Sequence, residues 1–229
     1  MRFEILVEGQ ADQTMLSILM ERILGPFEQP HRWYFHKHRG IGKIQEDPTQ
    51  PPNKHDPTLL HNLPSKLRAY GKDMGENEAV VVLVDLDDRP DCRVFKSELT
   101  KLLNTCPKPP QTLLRIATEE TEAWFFGDKK ALLAAYPEAN TQVIDHYVQD
   151  SQCGTWEKLA DAIYPGGSAS LIALGKRSPR VMEQKRVWAK KIAPEMNVER
   201  NQSPSFRQFR DGLRRFIGGK KKGGVHDRS

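Results

Sequence analysis

The sequence predicts an α/β fold, with a mainly parallel sheet flanked by helices and a helical C-terminal part. Three observations predict it. Strand-like and helix-like spacings alternate from the N-terminus to about residue 135. The run Ala79 to Val84 is apolar throughout and rich in valine, which suits a parallel strand covered on both faces. Beyond residue 135 the apolar residues recur almost entirely at helical spacing.

Each element follows from its own pattern. Phe3, Ile5 and Val7 alternate with polar neighbours, a strand of period two. Gly9 then makes a tight turn, and Met15, Leu16, Leu19, Met20 and Ile23 place a helix over Ala11 to Leu24. Trp33-Tyr34-Phe35 reads as a second strand. Gly40 to Pro57, with two glycines and four prolines, reads as a long loop. Leu60, Leu63, Leu67 and Tyr70 predict a helix before the Ala79–Val84 strand, and Val94, Leu99, Leu102 and Leu103 predict one after it. Leu113 to Ala117 is a further strand, leading into a helix that carries Ala123, Trp124, Phe125 and Leu132. Trp156 to Tyr164, Val181 to Ile192 and Phe206 to Ile217 are the later helices, with Pro165-Gly166-Gly167-Ser168 as the break among them. The division is residues 1–135 as an α/β unit, 136–217 as a helical extension packed on it, and 218–229 as a disordered basic tail.

Composition narrows the class. The 229 residues suffice for a substantial core, and 38% hydrophobic with 28% charged residues describes a polar-surfaced protein. No run approaches 18 apolar residues, so no membrane span is expected. Met1 to Glu8 lacks the basic-then-apolar layout of a signal peptide. Cys92, Cys106 and Cys153 are far apart and unpaired in spacing, which excludes a disulfide framework or zinc ribbon and favours the cytoplasm. The net charge of +5 is uneven, since Lys185 to Lys222 holds 12 lysines and arginines against three acids. An acidic centre beside a basic flank suits a protein that holds divalent metal and approaches a polyanion, although a solvated helix face explains the charge equally well.

In a parallel sheet, functional groups gather at the carboxyl ends of the strands. Three such ends are acidic here: Glu8 with Asp12 a turn further on, Asp85-Leu86-Asp87-Asp88 with Asp91 behind, and Glu119, Glu120 and Glu122. Carboxylates brought together repel one another, so a cation is expected among them, and oxygen-only donors select Mg²⁺ or Mn²⁺. The implied chemistry is metal-assisted hydrolysis of a phosphodiester. Taken singly, each acid could equally cap the helix that follows it.

Leu6-Val7-Glu8-Gly9 and Val84-Asp85-Leu86-Asp87-Asp88-Arg89-Pro90-Asp91-Cys92 resemble the first and second motifs of the Toprim domain. That domain is shared by topoisomerases, primases and nucleases of the overcoming-lysogenization-defect type. With Arg115 to Asp128 and Ser203-Pro204-Ser205-Phe206-Arg207, the chain more narrowly resembles the small bacterial family called domain of unknown function 4276. The resemblance implies a Toprim-like, Rossmann-like fold. It also implies a Mg²⁺ (or Mn²⁺) site on Asp85 and Asp87, and a metal or acid–base role for Glu8. It further implies nuclease activity in anti-phage defence beside an AAA-type ATPase partner.

The resemblance leaves open which of Glu119, Glu120 and Glu122 completes the metal site; Glu119, nearest the strand end, is the first choice. Lys185 is a candidate to stabilise charge on the attacked phosphate. Arg207, Arg210 and Arg214 recur on one helical face and are candidates to contact nucleic acid. His36-Lys37-His38-Arg39 before Gly40-Ile41-Gly42-Lys43 resembles a phosphate-contacting loop but lacks P-loop spacing. The alternatives are an RNA-cleaving toxin of the same fold, tRNA being one target, and a non-catalytic nucleic-acid-binding or regulatory subunit of an ATPase complex.

Overall fold

The structure is a computed structural model that describes residues 1–176 and 178–218. Its sheet has four strands, β1 (Arg2–Val7), β2 (Arg32–Lys37), β3 (Glu78–Asp85) and β4 (Thr112–Ala117). All pairings are parallel and the order is β2-β1-β3-β4. The predicted α/β class with a parallel sheet is therefore observed.

Helix α1 (Gln10–Leu24) follows β1, α2 (Leu59–Asp73) follows β2, and α3 (Cys92–Leu103) follows β3. Strand alternation explains the layers. Phe3, Ile5, Val7, Val81 and Leu83 point into one core with Met15, Leu16 and Leu19 of α1. Leu6, Val80, Val82 and Val84 point into a second core with Leu63 and Leu67 of α2 and Leu99 of α3. The valine-rich β3 is thus buried on both faces, as its composition predicts.

After β4 come α4 (Ala123–Phe126), α5 (Lys129–Ala135), α6 (Thr141–His146), α7 (Thr155–Ile163), α8 (Gly167–Ile172), α9 (Pro179–Ile192) and α10 (Pro204–Gly218). Trp188 and Ile192 of α9, and Phe206, Phe209 and Leu213 of α10, join the same core as α1. The helical part therefore shares a core with the sheet. Of the expected basic tail only Gly218 is described, as the last residue of α10; the remainder lies outside the described residues.

One predicted helix is two. The segment from Ala123 to Leu132 breaks at Gly127, whose N–H returns to Ala123 while Asp128 caps α5 through the Ala131 N–H. A Cβ at Gly127 would lie 2.1 Å from Asn201 Oδ1 and 2.8 Å from Ser203 N. The break lets the 201–205 segment pack directly on the backbone. Gln202 N–H donates to the Gly127 carbonyl at 2.7 Å, and Trp124 Nε1 donates to Ser205 Oγ at 2.9 Å. The short helices α6 and α8 were not predicted, because six residues complete too few turns to show a period.

Candidate active site

The chain leaves β1 toward α1 on one face of the sheet and β3 toward α3 on the other. Neighbouring strands whose connections diverge in this way open a crevice at their carboxyl ends. Glu8 follows β1 directly and Asp85 ends β3, so the two acids flank that crevice. A Glu8 Oε accepts the Asp85 backbone N–H at 2.7 Å, and an Asp85 Oδ accepts the Thr121 N–H at 3.0 Å. Gly9, the N-cap of α1, has no side chain to cap with. Asp12 reaches back instead and accepts the Gly9 N–H at 3.0 Å, while its other oxygen takes the Thr121 hydroxyl at 2.9 Å.

Lys185 of α9 is largely buried and completes the cluster, its Nζ lying 3.1 Å from Glu122 and 3.4 Å from Glu120. Glu120 also accepts the Trp156 N–H at 3.2 Å. Glu122 is 3% exposed, and its Oε2 takes no hydrogen bond. Five carboxyl groups, of Glu8, Asp12, Asp85, Glu120 and Glu122, thus share a largely dry site with one ammonium.

The electrostatics follow. Burial, then the charge of Asp12, pushes Glu8 well above the usual carboxylate range, although the Asp85 N–H and Lys185 oppose this. Burial, then Glu8 and Asp12, does the same to Asp85. Asp12 is pushed up to about 6 by burial and by Glu122. Glu120 is pushed up to about 8 by burial, against the pull of Lys185. Burial alone would lower Lys185, but Glu122, Glu120 and Asp85 raise it above its ordinary value and keep it charged.

Asp87 lies on the turn beyond Asp85 with φ +49°. Its N–H donates to the Glu119 carbonyl at 2.9 Å, and its own carbonyl accepts Gln152 Nε2 at 3.0 Å. Gln152 also binds the Arg89 carbonyl at 2.8 Å, and the Arg89 guanidinium lies 3.6 Å from the Asp87 carboxylate. The Asp87 carboxylate contributes to raising Glu8, so it lies within the field of the cluster.

Glu119, the first choice among the three glutamates, is placed differently. Its carboxylate accepts the N–H groups of Cys153, Gly154 and Thr155 at 2.8–3.1 Å, and the Thr155 hydroxyl. Burial would raise it, yet the Thr155 hydroxyl and those N–H donors outweigh burial and hold it below its ordinary value. Glu119 is spent on the start of α7, while Glu120 and Glu122 enter the cluster. The three glutamates precede the helix, which begins only at Ala123, and Glu119 itself has φ +58°.

The arginines of α10 take partners within the chain. Arg210 binds the Val198 carbonyl and Asp211, Arg214 binds Glu199 and the Ile23 carbonyl, and Arg207 binds Gln202. These guanidinium groups tie α10 to α1 and to the 198–202 segment, and none joins the acidic cluster. His36 pairs with the buried Glu4.

The donor set fits a hard divalent cation in kind. Glu8, Asp85 and Asp87 stand on one crevice, their oxygens are the preferred donors of Mg²⁺, and added positive charge would relieve the repulsion that raises Glu8 and Asp85. Among the described residues no group of three or more His, Cys, Asp and Glu side chains forms a ready cage. Magnesium does not require one, since it commonly takes one or two carboxylates and completes its shell with water and substrate oxygen. The orphaned Glu122 Oε2 further marks the site as short of positive charge or donors.

The family model described as "Domain of unknown function (DUF4276)" matches residues 7–214. No curated protein and no solved structure matches the chain.

Proposed function

The chain belongs to the DUF4276 family, and from that premise we propose that it is a Mg²⁺-dependent phosphodiesterase of Toprim type acting on nucleic acid. One observation carries the reading: Glu8 and Asp85 meet at the carboxyl ends of adjacent parallel strands, with Asp87 beside them and a buried lysine opposite. Asp85 and Asp87 would hold the cation, with Glu8 as a further ligand or as the group that accepts a proton from water. Bound there, Mg²⁺ supplies a Lewis acid for the phosphate and lowers the pKa of water.

The chain's own groups do the rest. Glu8, raised by burial and by Asp12, takes up a proton more readily than an ordinary carboxylate and is suited to accept one from water. Lys185 stays charged and offers a fixed cation to negative charge developing on the phosphate. Thr121 positions Asp85 and Asp12 together through its N–H and hydroxyl. Glu119 and Gln152 brace the turn that carries Asp87. A role in anti-phage defence beside an AAA-type ATPase rests on the Toprim and family resemblance.

The test is cleavage of phage DNA and of total cellular RNA with Mg²⁺ or Mn²⁺. Wild type should cleave one of them, and Asp85→Asn with Asp87→Asn should abolish cleavage with circular dichroism unchanged. Retained turnover in that double variant would sink the proposal.

A further inference from the structure

A cavity stands apart from the acidic crevice. It is a groove of about 360 Å³ between the end of α6 and the start of α7, walled in part by Val143, Tyr147, Val148, Ser151, Cys153 and Lys158. Tyr147 stacks flat on Phe126, with ring centroids 3.9 Å apart and planes at 13°, so this wall is preformed. Val148 is 68% exposed and leaves its isopropyl group uncovered at the groove. Among the described residues no acid lines it, and the Lys158 ammonium has neither a hydrogen bond nor an ion pair. The acids nearest Lys158 in sequence are taken elsewhere, Glu157 by Lys176 at 2.7 Å and Asp161 by the Ser168 N–H at 2.7 Å. A largely apolar groove of this size beside an unpaired cation suits a small ring that carries one negative charge.

The groove adjoins the turn that carries Asp87. Ser151 Oγ donates to Cys153 Sγ at 3.3 Å, so these two side chains lie together on the groove side of their segment. Gln152, between them, donates to the Asp87 and Arg89 carbonyls at 3.0 and 2.8 Å. The Cys153 N–H donates to Glu119 at 3.1 Å, and the Glu119 carbonyl accepts the Asp87 N–H at 2.9 Å. Residues 151–153 therefore wall the groove and, through Gln152 and Glu119, hold the backbone of Asp87 at both its carbonyl and its N–H.

We propose that the groove is a regulatory site for a small aromatic monoanion, with its ring against Tyr147 and Val148 and its charge on Lys158, and that the bound ligand steadies the Asp87 turn through residues 151–153. A ligand packed on Ser151 and Cys153 resists the local opening that would release Gln152, so occupancy and turn are linked. That this tunes a metal site rests on the phosphodiesterase reading; the ligand site and its hold on the turn do not.

The test uses naphthalene-2-sulfonate as the probe, in EDTA. Mass spectrometry follows alkylation of Cys153 by iodoacetamide, with Cys92, also exposed and outside the groove, as the reference in the same molecule. The probe should slow alkylation of Cys153 saturably and leave that of Cys92 unchanged. Lys158→Ala should raise the concentration for half protection about tenfold, and Val148→Asp should abolish protection, both with unchanged circular dichroism. Amide exchange by NMR should slow about fivefold at Asp87 and stay constant at Gly40, whose N–H binds the Glu8 carbonyl at 3.0 Å.

Equal alkylation of Cys153 with and without the probe would overturn the site. Undiminished protection in folded Lys158→Ala would overturn the anion assignment, and equal protection by methanesulfonate would overturn the ring. Protection of Cys153 that rises with protein concentration in the absence of probe would put a second copy in the groove and overturn the small ligand. Protection with unchanged exchange at Asp87 would overturn the link to the turn. Because the assay contains no divalent metal, a chain that meets these expectations yet never cleaves contradicts the phosphodiesterase reading and not this one.

Discussion

Replacing Asp12 by Asn tests whether the acidic cluster is as strained as its burial implies. Asp12 is raised from 3.8 to about 6, so the folded protein keeps its proton at pH values where the unfolded chain has lost it. Stability therefore falls as pH rises from about 4 to about 6, and the loss is complete above that. A shift of about 2 units corresponds to about 3 kcal/mol. Asn cannot ionise, and its amide keeps both contacts: Oδ1 accepts the Gly9 N–H, and Nδ2 donates to Thr121 Oγ1, whose hydroxyl can rotate. Glu8 and Asp85, both raised in part by Asp12, are also relieved. Urea denaturation in EDTA at several pH values measures the effect. Asp12→Asn should gain about 3 kcal/mol on wild type between about pH 4 and pH 7, and Mg²⁺ should narrow the gap by favouring the charged cluster. A stability difference that does not vary with pH would refute the reasoning.

The other side chains of the site give predictions of opposite sign. Lys185→Met leaves Glu120 and Glu122 buried without their cation. It should cost about 3–5 kcal/mol at neutral pH by urea denaturation, and the loss should grow as pH rises past about 8, where Glu120 beside Lys185 gives up its proton. Glu119→Ala removes the acceptor of the α7 N-terminus and loosens the turn bearing Gln152. It should cost about 2–3 kcal/mol by the same assay, and calorimetry should show weaker Mn²⁺ binding, because Gln152 holds the Asp87 carbonyl.

Much of this fold was legible because its strands carry their own signatures. The valine run of β3 and the alternation of Phe3, Ile5 and Val7 state which faces are covered, and the structure covers them in that way. The acids at the ends of β1 and β3 could be placed together once a parallel sheet was inferred. The third acidic group could not be resolved, because its placement depends on a left-handed residue at Glu119 and a turn up to Glu122, neither of which periodicity encodes. Asp12 was visible one turn past Glu8, but its tie to Thr121 spans 109 residues and leaves no local pattern. Spacing shows that Arg210 and Arg214 share a face, and only packing shows that Glu199 and the Val198 and Ile23 carbonyls lie against it.

Calorimetry of Mg²⁺ and Mn²⁺ binding, with wild type beside Asp85→Asn/Asp87→Asn and circular dichroism on both, tests the metal site most directly. The account predicts binding by wild type and none by the folded double variant. Equal binding by the variant, or no binding by folded wild type even with DNA or RNA present, would contradict it.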